Sequence, residues 1–167
     1  MKIGIACSAG GHLTQALSLA EAFRGHECFL ILQNLPTVKK FNPPQFTRTY
    51  HLRILFNYAL GIRVTPWHIV WLGVYITLLE NTFEIIKILV KEKPDILFST
   101  GSEIAIPTFY IGKFLFGAKL IYLESVARMR DISRAGRLLM PIVDLFLVQW
   151  EELAQKYKKA KFWGRVI

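Results

Sequence analysis

The sequence predicts an α/β fold, a Rossmann-like parallel sheet with helices on both faces. Three observations predict it. Short apolar runs of strand length recur at Lys2 to Cys7, Glu27 to Leu32, Asp95 to Ser99, Lys119 to Leu123 and Val143 to Val148. Segments with helical period lie between them. Three of the runs end on small or polar residues, at Ser8-Ala9-Gly10-Gly11, Thr100-Gly101-Ser102 and Glu124-Ser125. Strands alternating with helices imply βαβ units, and 167 residues suit one such domain.

Each element has its own warrant. From His12 to Phe23 the residues Leu13, Ala16, Leu17, Ala20 and Phe23 share one helical face. Asn42-Pro43-Pro44 is a loop, and Phe46 to Leu52 reads as a third strand. Pro66 opens a long helix, since proline suits a first turn; the helix runs from about Trp67 to Lys93 and stops before Pro94. Its first half is apolar all round. Its second half is amphipathic, with Glu80, Glu84, Lys87 and Lys91 on one stripe and Phe83, Ile86 and Val90 on another. Ile104 to Phe116 is a helical apolar segment interrupted by Pro107, and Glu151 to Tyr157 is a closing helix.

Composition narrows the function. Apolar residues make up 53% and charged residues 20%, with mean hydropathy +0.34. That excludes a disordered or collagen-like chain and points to a surface that meets something apolar. The net charge of +9, taken with this apolar content, suits an anionic membrane face better than nucleic acid. Cys7 and Cys28 lie inside strand-like runs, without metal-ligand spacing, and read as reduced buried thiols. No signal peptide is visible. The longest stretch free of Asp, Glu, Lys and Arg is Val64 to Leu79, shorter than the roughly 20 apolar residues a spanning helix needs.

In a parallel α/β sheet, ligands bind beyond the carboxyl ends of the strands. Ser8-Ala9-Gly10-Gly11-His12 lies at one such end. Its glycines permit close backbone approach, and free N–H groups at the helix start suit a phosphate. A plain glycine turn with His12 capping or exposed explains the local sequence equally well. At a phosphate-binding turn, His12 is the best acid/base candidate in the chain. Gly101 permits close ligand approach, while Ser102 caps the next helix and Glu103 sits in its first turn. Glu124 ends an apolar strand and points toward the crevice mouth, either ion-paired to Arg128 or Arg130 or holding a sugar hydroxyl or acting as a base. Arg128, Arg130, Arg134 and Arg137 make a basic segment, a solvated loop or a diphosphate-binding one. Trp67, Trp71 and Tyr75 favour a membrane interface over a fully buried helix, and Lys39, Lys40, Arg48, Arg53 and Arg63 precede them as contacts for anionic lipid. The closing Phe162-Trp163-Gly164-Arg165-Val166-Ile167 is a partner surface or a terminal strand tucked into the sheet.

The strings CSAGGHLTQ at 7–15, STGSEIAIPTFYIGKFLFGAKLIYLESVAR at 99–128 and DLFLVQWEELAQKY at 144–157, with the Trp163-Gly164-Arg165-Val166-Ile167 tail, resemble the asparagine-linked glycosylation fourteen family and its bacterial exopolysaccharide relatives. The likeness is weakest between Gln33 and Thr65. It implies the N-terminal, acceptor half of a split GT-B glycosyltransferase. It also implies a glycosylation thirteen-like partner carrying the UDP-sugar site, and no cofactor or metal. The implied reaction moves a sugar, N-acetylglucosamine in the eukaryotic family, to a lipid-diphosphate-linked sugar at the cytoplasmic face of a membrane. By resemblance Gly10, Gly11 and His12 match the glycine-histidine turn, Gly101 the second loop and Glu124 the strand-end acid; His12 or Glu124 is then the base. Ser8, Gly10, Gly11, Gly101, Arg128 and Arg130 are the expected diphosphate contacts. Eukaryotic members begin with a spanning helix where this sequence begins with a strand, so attachment is expected from a membrane-associating helix at about 66–93, within a single acceptor-binding domain over 1–167. The competing expectation is a non-catalytic membrane scaffold that recruits a catalytic partner. A nucleic-acid-binding module is disfavoured, because neither aromatic stacking motifs nor helix-turn-helix signals are evident.

Overall fold

The computed structural model describes residues 1–34, 41–53 and 67–166. In chain order the elements are β1 (Lys2–Ser8), α1 (Gly11–Ser18), a 3₁₀ turn (Ala20–Phe23), β2 (Glu27–Asn34), β3 (Arg48–Arg53), α2 (Trp67–Glu92), β4 (Ile96–Ser99), α3 (Ala105–Phe116), β5 (Lys119–Leu123), α4 (Arg134–Leu139), β6 (Leu145–Val148), α5 (Glu151–Lys156) and β7 (Ala160–Phe162). They build one seven-stranded sheet in the order β3-β2-β1-β4-β5-β6-β7. Every pairing is parallel. The order reverses between β1 and β4, which makes the gap beyond their carboxyl ends the natural ligand crevice.

The strand sequences follow from burial on both faces. Ile3, Ile5 and Cys7 of β1 face one apolar cluster with Leu30 and Leu32, while Ala6 faces the other with Phe29 and Ile31. Burial pushes the Cys7 thiol up to about 12, and also raises that of Cys28; both are free. The larger cluster lies under α2 and α3, where Ile85, Leu89, Ala105 and Phe109 pack on the sheet. The smaller one lies under α1 through Leu13 and Ala16.

Four expectations are corrected. The helix expected from His12 to Phe23 breaks at Leu19 into α1 and the 3₁₀ turn. α3 runs unbroken through Pro107, because that residue lies in the first turn where a missing N–H removes no helical bond. Its start carries no side-chain cap: Ser102 Oγ accepts from Ile104 N only at 3.4 Å, so the expected Ser102 cap is not formed. Of the two readings of the tail, the terminal strand is the one seen, but it lies earlier than expected: β7 pairs with β6 through Ala160, Lys161 and Phe162. The expected helix opening at Pro66 lies outside the described residues. Among the described residues no helix is long and apolar enough to cross a membrane.

Candidate active site

The β1–α1 and β4–α3 connections meet at the crevice, and His12 joins them. The first three N–H groups of α1 have no partner within the helix, and Gly10, with φ 89°, makes the turn that presents them. His12 Nδ1 lies 2.7 Å from the Thr100 carbonyl oxygen, and Thr100 Oγ1 donates to the His12 carbonyl at 2.7 Å. A carbonyl oxygen only accepts, so Nδ1 carries the proton and the neutral ring keeps its lone pair on Nε2. Gly101 lies against this ring at φ 108°, and a Cβ there would stand 2.7 Å from His12 Cε1. Ser102 follows at φ 130°, a strained conformation for a residue with a side chain.

The opposite wall comes from the end of β5. A cleft of about 870 Å³ is lined by His12, Gly101, Ser102, Glu103, Glu124, Arg128 and Arg134 among others. Glu124 borders it but is only 1% exposed. Its Oε1 accepts from Ser125 N at 3.0 Å, and its Oε2 accepts from Ser133 N at 2.8 Å and Ser133 Oγ at 3.0 Å. Ser133 Oγ in turn accepts from Gly136 N at 2.9 Å and caps α4. Gly136 has no side chain to spare here, because a Cβ would stand 2.4 Å from Glu124 Oε2. Tyr122 OH lies 3.1 Å from Ser133 Oγ, and burial, then the nearby Glu124 charge, push its phenol above the ordinary range.

The expected ion pair from Glu124 to Arg128 or Arg130 is absent among the described residues; neutral donors hold the carboxylate instead. Arg128 and Arg134 line the cleft, with no carboxylate within ion-pair distance among the described residues. Arg137 pairs with Asp131, which Tyr157 also contacts; the Tyr157 hydroxyl, against a burial effect of opposite sign, and the neighbouring cations hold Asp131 below the usual carboxylate range. Arg130 is exposed and does not line the cleft. Ser8 ends β1, and Gly10 and Gly11 form the adjoining turn rather than the lining itself. The backbones of Trp67, Trp71 and Tyr75 lie on α2, while their side chains are outside the described residues, as are Lys39, Lys40 and Arg63. Arg48 and Arg53 are engaged by Glu92 and Glu80.

Comparison with known proteins then fixes the family. The pattern of the family described as "Oligosaccharide biosynthesis protein Alg14 like" matches residues 62–166. The chain belongs to the Alg14 family. Among relatives, the UDP-N-acetylglucosamine transferase subunit ALG14 of Debaryomyces hansenii is 44% identical over 79 residues, which are 44% of this chain and 34% of that protein. Its Mus musculus counterpart is 24% identical over 187 aligned positions, covering 100% of this chain and 83% of that protein. The matches to three fungal relatives span 34%, 28% and 38% of those proteins, so this chain covers well under two thirds of their length.

Among solved structures, Acinetobacter baumannii MurG superposes with TM-score 0.64 at 18% identity, over 89% of this chain and 41% of that one. The UDP-GlcNAc 2-epimerase of Methanocaldococcus jannaschii gives 0.65 at 18%, over 99% and 46%. This likeness is one of fold: an Alg14 family chain folds as the Rossmann-like half of a GT-B architecture.

Sequence reasoning missed Tyr122, Ser133 and Gly136 around Glu124, and the buried pair Gln15 and Gln149. Gln149 carried the same signal as Glu124, a polar residue ending an apolar strand.

Proposed function

We propose that this chain is the membrane-associated, acceptor-binding subunit of a two-component glycosyltransferase. It transfers a sugar, N-acetylglucosamine by the names of its relatives, from a UDP-sugar to a lipid-diphosphate-linked sugar. The carrying observation is the His12 ring, fixed by Thr100 with Nε2 open, facing a wall that offers Arg128 and Arg134. The proposed reaction runs in one displacement. His12 Nε2 takes the proton of the acceptor hydroxyl while its oxygen attacks the anomeric carbon. The bond to UDP breaks, and UDP leaves with the electron pair on the partner subunit. Glu124 is the weaker base candidate, because its oxygens already accept from Ser125 and Ser133. The arginines and the α1 amides suit the diphosphate of the acceptor.

Membrane association is supported by an apolar face on the helices covering the sheet. Ile76, Leu79, Phe83 and Val90 recur at helical spacing on α2 and are 50–62% exposed, while Phe114 and Leu115 on α3 are 67% and 66% exposed. Exposed apolar side chains of this size suit a contact with an apolar surface. The proposed unit is one acceptor-binding domain over 1–167, with α2 in its membrane-associating segment.

The test is sugar transfer in membranes containing this protein, with UDP-N-acetylglucosamine and a synthetic polyprenyl-diphosphate-sugar, with and without its partner. Transfer that needs both proteins and falls with His12→Gln supports the reading. Full transfer by the His12→Gln, Glu124→Gln double variant refutes this chain's catalytic role and leaves the scaffold.

A further inference from the structure

We propose that Gln149 and Trp150, just past β6, are positioning residues that couple the segment after β7 to the arginine-bearing wall of the cleft. Docking of that segment then sets the geometry in which the cleft holds the acceptor diphosphate. The inference rests on the acceptor reading above for its consequence, but not for its geometry.

Gln149 is fully buried. Its Oε1 accepts from Val166 N at 2.9 Å, and its Nε2 donates to the Glu124 carbonyl at 3.0 Å. A backbone N–H only donates and a carbonyl only accepts, so the amide has one possible orientation. Its remaining donor reaches Gln15 Oε1 at 3.0 Å, and Gln15 lies three residues after His12 on α1. One side chain therefore spans α1, the end of β5 and the C-terminal segment. The same logic forces Gln15 to present its oxygen. Its own Nε2 then has no protein acceptor among the described residues, although Gln15 is 3% exposed. A pair selected for core packing alone would not leave a buried donor open.

Trp150 repeats the pattern one residue on. Its Nε1 donates to the Val126 carbonyl at 2.6 Å, inside the loop that carries Arg128. The Arg165 guanidinium lies 3.8 Å from the centre of the Trp150 ring, and Arg165 Nε donates to the Gln149 carbonyl at 3.3 Å. So two adjacent side chains grip the loop at Glu124 and Val126, and two adjacent residues of the later segment, Arg165 and Val166, grip those side chains. These hydrogen bonds and the ring contact reach the β5–α4 loop, α1 and the C-terminal segment, and leave the sheet interior untouched.

The experiment uses the full chain and three variants. Trp150→Phe keeps a ring under Arg165 and removes only the bond to Val126. Arg165→Ala removes the stacking, and Arg165→Lys restores a cation. Amide hydrogen exchange is followed over residues 125–133 and, as reference, over β1 and β4. The expected result is about tenfold faster exchange over 125–133 in Trp150→Phe and Arg165→Ala, partial recovery in Arg165→Lys, and no change in the reference strands. In the reconstituted transferase the same variants raise KM for the lipid-diphosphate acceptor about fivefold, with kcat within about twofold. Unchanged exchange over 125–133, or an equal rise across the whole sheet, overturns the coupling. A local exchange response in a protein that turns over no lipid-diphosphate substrate even unaltered upholds the coupling and sinks the acceptor reading.

Discussion

The two ends of the sheet each bury a carboxylate, and they treat it in opposite ways. At the amino ends Glu92, its side chain 0% exposed, meets Lys2 Nζ at 3.2 Å, Arg48 Nη1 at 2.7 Å and the Tyr50 hydroxyl. Burial alone would raise the Glu92 pKa, but Tyr50, Arg48 and Lys2 outweigh it and hold the carboxyl below its ordinary value. At the carboxyl ends Glu124 meets, among the described residues, only neutral N–H and O–H donors, and Arg128 and Arg134 have no carboxylate within ion-pair distance. At the first, the paired end, Lys2 and Arg48 are engaged by the acid itself. At the second, the open end, Arg128 and Arg134 line the cleft without such a partner among the described residues. What separates the two carboxylates is therefore the fate of the neighbouring cations, since both are equally buried.

The strongest break in that comparison is at the open end. His12→Gln removes the free Nε2 and is expected to lower transfer about 10²–10⁴-fold, read in the reconstituted assay. Gly101→Val drives a side chain into the His12 ring and forces an unfavourable φ, with an expected loss of about 10²-fold while the fold persists. Circular dichroism checks that persistence.

The next break is at the paired end. Glu92→Gln is expected to cost about 1.5–3 kcal/mol in denaturant unfolding and to leave kcat of the reconstituted pair unchanged. The pH dependence sharpens the point. Because Glu92 has a folded pKa below its ordinary 4.5, its contribution is present at neutral pH. It is lost as pH falls below about 4.5 toward the folded value, so the unfolding curves of the protein and Glu92→Gln converge in acid. Parallel curves down to pH 3 would show that Glu92 is not held by its cations. The smallest effect is on the helix face. Phe83→Ser and Phe114→Ser are each expected to lower partition onto anionic vesicles about tenfold with little change in Tm, because each side chain is already exposed.

How much of this was legible depends on range. The strands were readable because burial on both faces writes continuous apolar runs, as in Cys28-Phe29-Leu30-Ile31-Leu32. The glycine turn and His12 were readable because Gly10 and His12 are local signals. The partners of Glu124 were not, because the local sequence offered only a nearby arginine as an alternative to a site role. The actual partner, Ser133, sits nine residues on and itself caps a helix. The terminal strand was offered as one of two readings of the tail, but its position at Ala160–Phe162 was not legible, because three residues carry too little pattern to compete with the basic run before them. Gln15 escaped because its spacing puts it beside the apolar stripe of α1, and only the fold shows that this position faces Gln149.

The parallel order has a consequence for how the molecule comes to exist. β1 lies between β2 and β4, so Ile3 must wait for Ile96 before its second edge is filled. The His12–Thr100 latch joins residues 88 apart, and the Gln15–Gln149 bond joins residues 134 apart. Such distant pairings form slowly and late. During synthesis the glycine-histidine turn emerges first and stays without a crevice until β4 arrives, and the crevice lacks its second wall until β5 and the segment after it do. The cleft is thus completed late: its lining runs from His12 to Arg137, so no nascent chain that ends before Arg137 presents all of it.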